Sequence, residues 1–188
     1  MNSENSYWGF LYFILFIFGC RCSDDYFFEI VEPENLRYSL QIRIAQFCKR
    51  PSENVLYMRL VLAMPPKLCT EAENAQFLWN NAALIERGEC SFYQKSMLAE
   101  KSGARVVLIT DIEKGDDEFL VMSTDDPSTK LNIPVFYLPG VDGRHLRKHL
   151  LYSQSPIKIR IPLNYSTVQL HLVRKPPWNV SIFDNIPF

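Results

Sequence analysis

Residues 82 to 110, "AALIERGECSFYQKSMLAEKSGARVVLIT", constrain the fold more than any other stretch of the chain. "AALIER" (82 to 87) is a short apolar strand closed by Gly88. Ser91 and Gln94 make a capping-box pair, strong helix formers continue through Lys101, and Gly103 supplies the stop. "RVVLIT" (105 to 110) is a second apolar strand. Strand, helix and strand in that order form a βαβ unit, so the two strands are expected parallel with a right-handed crossover.

Cys90 stands at the entrance to that helix. A helix N-terminus lowers a thiol pKa, which gives a catalytic reading a physical basis. A cysteine nucleophile needs a histidine brought close in space, and the chain offers His145, His149 and His171. There is no "GxSxG", "HExxH", Walker-type loop, "GxGxxG", "DTG" or "DSG" stretch, so no enzymatic site is assembled in the sequence. Cys69 offers another account, lying 21 residues earlier after a strand that ends at "MPPK". A Cys69–Cys90 bridge would stabilise by about 3 kcal/mol through loop entropy. The disulfide is the favoured reading, and a divergent secreted hydrolase using Cys90 is the alternative.

The first residues set the compartment. "YWGFLYFILFIFGC" (7 to 20) followed by "RCSDD" reads as a signal-peptide apolar core, so residues 1–22 are expected to be a signal peptide. The preceding "MNSENSY" carries Glu4 and no Lys or Arg, so an uncleaved anchor is the alternative, although the apolar run is shorter than the roughly 20 residues a spanning helix wants. No membrane segment is expected after cleavage. The secretory route is oxidising, and its end point is expected to be extracellular. Of the five cysteines, Cys20 and Cys22 sit at the cleavage zone, leaving Cys48 as the odd thiol. It is either buried as a small hydrophobe or paired with a retained Cys20 or Cys22. The sequons "NYS" at Asn164 and "NVS" at Asn179 become N-glycosylation sites in that compartment. Removing the leader deletes Glu4 and Arg21, so the charge stays near the −1 of the full 188 residues, with no basic footprint for nucleic acid.

Hydrophobic content of 47% suits one compact domain, placed at 23–163 with a tail at 164–188. Further strands are expected at 26–31, 36–44, 54–63, 133–138 and 157–163, with a short one at 119–122. A second helix is expected at 141–152, with Leu146, Leu150 and Leu151 on one side. The proline-rich tail "RKPPWNVSIFDNIPF" is expected over the surface or free of it. His145 and His149 have metal-ligand spacing, but Arg144, Arg147 and Lys148 would repel a divalent cation, so an exposed basic helix face is preferred. Asp116, Asp117, Asp125 and Asp126 lack an EF-hand order and read as a solvated loop. His171 alternates with aliphatics as a strand residue. No metal or cofactor is expected.

"ALIERGECSFYQKSMLAEKSGARVVLITD" (83 to 111) resembles the central signature of protease-associated domains: Arg87, Gly88, Cys90, Phe92, Lys95, Ala99 and Gly103 fall in place. "IPVFYLPGVDGRHL" (133 to 146) is similar to that family's second signature. The resemblance implies a β-rich α/β fold, an open barrel or sandwich of mixed strands with two flanking helices. It also implies a non-catalytic module for protein or peptide recognition that accompanies proteases or sorting pathways. In plant vacuolar sorting receptors the corresponding loop contacts cargo peptide, and here it maps to Arg87, Gly88, Glu89, Cys90, Ser91 and Phe92. Physically, Gly88 allows a tight turn, and free N–H groups at the helix start suit a peptide carboxylate or carbonyl. Arg87 either adds a charge-assisted hydrogen bond to a ligand or pairs with a nearby acid such as Glu86. Lys95 and Phe92 are read as packing residues.

Overall fold

A computed structural model describes residues 25–51, 56–115, 118–124, 126, 128–153, 155–163 and 174–179. The leader, Cys20, Cys22, Asp116, Asp117, Asp125, Asn164 and His171 lie outside the described residues, as does the side chain of Asn179. Seven strands form a closed barrel: β1 (Asp25–Glu32), β2 (Ser39–Ile44), β3 (Leu56–Leu62), β4 (Ala82–Glu86), β5 (Val106–Thr110), β6 (Val135–Leu138) and β7 (Ile157–Ile161). Around the ring the order is β1, β2, β6, β5, β4, β3, β7. Among the described residues three α-helices accompany it: α1 (Ala75–Leu78), α2 (Phe92–Lys101) and α3 (Gly140–Tyr152).

The pairing is mixed, as expected. β3, β4, β5 and β6 run parallel, with Leu84 opposite Leu108 and Ile109 opposite Tyr137. β2 is antiparallel to β6 and to β1, and β7 is antiparallel to β3 and to β1. The β1–β7 ladder closes the ring, which the expected open barrel or sandwich left unjoined. Closure removes the unpaired strand edge on which stray chains assemble.

Burial follows from this layout. β2 alternates between half-buried and buried residues, so Leu40, Ile42 and Ile44 share one face, and β7 does the same with Ile157, Ile159 and Ile161. β5 and β6 are buried at every position, as parallel strands covered on both faces are. Small residues let the helices approach: Ser96 and Ala99 are buried on α2, Gly140 and Gly143 on α3. Leu146 is fully buried and Leu150 partly so, but Leu151 is exposed, against expectation. At 100° per residue it lies about 140° round the helix from Leu146.

Prolines trim several strands. β7 stops before Pro162 and β6 begins after Pro134, because proline cannot donate to a ladder. Pro33 starts a 3₁₀ turn at Glu34–Leu36, so β2 begins at Ser39 rather than 36. The expected strand at 119–122 is absent. Phe119 instead lies under the Arg43 guanidinium, 4.8 Å from its ring centre, and the Met122 carbonyl accepts from Gln46 N–H at 3.0 Å. A single turn of helix, α1, was not expected, since four residues carry no periodicity.

Gly143 marks the tightest helix contact: a Cβ there would lie 1.5 Å from Thr110 Oγ1. Gly143→Ala is expected to lower unfolding free energy by about 1–3 kcal/mol. Adding Thr110→Ala should recover part of that loss in a double-mutant denaturation series.

Candidate functional site: the loop edge of the parallel strands

Four parallel strands bring four chain segments to one edge of the barrel. The turn after β3, the loop between β4 and α2, the Asp111 loop after β5 and the start of α3 all leave from carboxyl ends. In parallel α/β sheets this is the edge where ligands collect.

Lys95 organises it. The residue is fully buried on α2, and its ammonium donates to the carbonyl oxygens of Lys67 at 2.6 Å and Gly88 at 2.7 Å. Both disulfide sulfurs are close, Cys90 Sγ at 3.3 Å and Cys69 Sγ at 3.4 Å. Cys69 and Cys90 are bonded, with their Cα atoms 5.7 Å apart. Burial pulls the Lys95 pKa down to about 8, opposed by the charge of Glu89. The backbone bends to serve this group. Gly88 and Glu89 both take positive φ, 110° and 68°, and the buried Leu68 takes 45°. The sequence marked Lys95 as a packing residue; its buried length packs, but its charge ties the loops together.

The expected recognition residues surround this anchor. Arg87, Glu89 and Ser91 are exposed. The Arg87 guanidinium reaches the buried Asp111 carboxylate at 3.5 Å, and the Arg87 N–H donates to Thr110 O at 2.8 Å. Its acid is therefore Asp111, whereas Glu86 pairs with Arg147 on α3 at 3.3 Å. Asp111 is held in turn by the Ile112 N–H at 2.8 Å. Glu89 accepts from Lys67 Nζ at 2.5 Å, which raises the Lys67 pKa and lowers that of Glu89. Ser91 caps α2 as its pattern predicted, accepting the Gln94 N–H at 3.1 Å. The N–H groups of Phe92 and Tyr93, in the same first turn, have no partner within the helix.

The sequence missed Asp111 and Lys67 as members of this edge. An acid 24 residues from Arg87 leaves no local pattern, and only the β4–β5 register brings the two together. The histidine pair does not converge. His145 stacks on Trp178 with ring centres 3.9 Å apart, while His149 Nε2 meets the Ser155 carbonyl at 3.0 Å. Cys48 is a free, buried thiol whose pKa burial raises. The described tail residues are packed on the barrel: Arg174 O accepts from Ser39 N–H at 2.9 Å and Trp178 Nε1 donates to buried Asp142 at 2.7 Å. With its sulfur bonded to Cys69, Cys90 is not available as a nucleophile.

Comparison with known proteins agrees with this geometry. Residues 56–146 match the PA domain family, and the chain belongs to that protease-associated class. A PRADC1-like protein of Drosophila melanogaster is 36% identical over 159 residues, spanning 82% of this chain and 81% of that one. Signal peptide peptidase-like 2 of Arabidopsis thaliana is 30% identical over 140 residues, which cover 73% of this chain but 24% of the plant protein. The fold is similar to that of a zinc aminopeptidase from Bacillus subtilis, with a TM-score of 0.54 at 19% identity, covering 74% of this chain and 30% of the enzyme.

Two measurements test the anchor. Replacing Cys69 and Cys90 together by serine should cost about 3 kcal/mol in chemical denaturation. Lys95→Met should also destabilise, by about 1–3 kcal/mol, because the half-buried carbonyls of Lys67 and Gly88 lose the ammonium that joins them. The folded Lys95 pKa of about 8 lies below the ordinary 10.5, so between those values the unfolded chain holds the proton and the folded chain has released it. Wild-type stability relative to Lys95→Met should therefore rise as pH climbs from 8 to 10.5.

Proposed function

We propose that this chain is a secreted, glycosylated, non-catalytic module that binds a protein or peptide partner through the loop at 87–92, accompanying a protease or a sorting pathway. The observation that carries the reading is the pinned loop itself: the disulfide and Lys95 hold it, while Arg87, Glu89 and Ser91 face solvent. A rigid loop loses little entropy on binding. Arg87 offers a charge-assisted donor and α2 offers first-turn N–H groups, a pairing suited to a carboxylate or a peptide carbonyl. Gly88 and Phe92 shape the loop around them.

The disulfide fits an oxidising compartment, and several relatives carry names from proteolysis, including the plant signal peptide peptidase-like proteins. The reading includes cleavage after residue 22 and glycans at Asn164 and Asn179. Expression in a secreting cell should yield protein in the medium whose mass falls on glycosidase treatment, with each of Asn164→Gln and Asn179→Gln removing one glycan. An intracellular, unglycosylated product would refute this part.

For recognition, the purified chain is panned against displayed random peptides with free carboxyl termini, and selected peptides are titrated by calorimetry. Arg87→Ala is expected to weaken binding about tenfold, equivalent to roughly 1.4 kcal/mol. Selected peptides that bind Arg87→Ala and wild type equally would place recognition elsewhere.

A further inference from the structure

The disulfide at the centre of the loop has an environment that does more than hold it closed. Its two cysteines are half-buried, and their sulfurs differ in their surroundings. Cys90 directly precedes Ser91, the N-cap of α2, where the helix dipole favours negative charge. The Lys95 ammonium lies 3.3 Å from Cys90 Sγ. Cys69 Sγ also meets that ammonium, at 3.4 Å, but faces the carbonyl oxygens of Lys67 and Gly88, each at 3.7 Å. Carbonyl oxygens accept from a neutral thiol and disfavour a thiolate, whereas a cation and a helix N-terminus favour one.

We propose that Cys69–Cys90 is a thiol-exchange site in the folded protein, attacked at Cys69 by small thiols, with Cys90 leaving as a thiolate held by Lys95. The chemistry balances as follows. An external thiolate forms a bond to Cys69 Sγ, the Cys69–Cys90 bond breaks, and its electron pair departs on Cys90 Sγ. With a monothiol the product is a mixed disulfide on Cys69. With a dithiol, its second thiolate attacks the reagent's own sulfur in that mixed disulfide. It closes to a cyclic disulfide and leaves Cys69, which takes up a proton as a thiol. The dithiol is oxidised by two electrons and the protein disulfide reduced by two.

Other charges around the sulfurs set the pH response. Glu89 and Glu86 support the Lys95 ammonium and Lys67 opposes it, so the pair is not driven by one group alone. The hydrogen bonds from Lys95 to Lys67 O and Gly88 O do not involve the sulfurs, so they keep both cysteines in place after the bond opens. This inference is independent of what the loop binds.

The test uses the intact, oxidised, secreted chain without denaturant. It is incubated with glutathione, quenched in acid and mapped by peptide mass. Glutathione is expected on Cys69 at least fivefold over Cys90. After reduction with dithiothreitol, iodoacetamide alkylation of Cys90 is followed against pH. Its midpoint is expected at least one unit below the ordinary thiol value of about 8.5. Lys95→Gln should raise the midpoint by about one unit. Buried Cys48 reports on unfolding in the same samples and should alkylate far more slowly. Equal or reversed glutathione occupancy would overturn the proposal. So would a Cys90 midpoint at or above 8.5, or Cys48 labelling that keeps pace with Cys90. The wild-type measurements decide the matter even if a Lys95 variant does not fold.

Discussion

A single buried ammonium holds the functional edge of this molecule together. Lys95 leaves α2, crosses under the loop after β4 and ends between two carbonyls from different turns. Burying a charge is costly unless hydrogen bonds replace the lost water. Here the carbonyls of Lys67 and Gly88 supply them, and both turns adopt left-handed backbone to present those oxygens. The compact head of a lysine suits a site where donors must point in several directions, a geometry that the planar fork of arginine does not match. The disulfide fixes the same two turns covalently, so the loop is restrained twice at one point.

The barrel explains why those turns meet at all. Four parallel strands send all their carboxyl ends to one edge, and four antiparallel pairings involving β1, β2 and β7 complete the ring. The family match at 56–146 covers the parallel strands and the loops they carry, while β1, β2 and β7 fall outside it. The disulfide-pinned loop and the closing strands are thus separate parts of the fold. Charge pairs between neighbouring segments then trim the edge: Glu86 with Arg147, Arg87 with Asp111 and Glu89 with Lys67. The exposed pair, Lys67 with Glu89, contributes little to stability. Its effect is to fix where the loop's charges stand.

Much of this was legible in the sequence because it is local. The N-cap at Ser91, the Cys69–Cys90 bridge, the parallel pair around α2 and the buried strand Val135–Leu138 all arise from short patterns, and the structure contains each of them. The errors fall where local pattern carries no information. Phe119 to Met122 looks like a strand but finds no partner ladder and packs under Arg43 and Gln46 instead. Leu151 sits in an apolar run yet faces outward. Of the two placements open to the tail, over the surface or free of it, Trp178 takes the first, packing on Asp142 and His145.

By itself the sequence determined most of the elements of this protein, the parallel pair around α2 and the disulfide of its loop, since caps, breakers and cysteine spacing are local signals. Tertiary structure decided closure of the ring, the pairing of Arg87 with Asp111 and the burial of the Lys95 charge. Each of those depends on register or on a shared cavity between segments distant in the chain, and free energy of that kind exists only once the segments have been packed together.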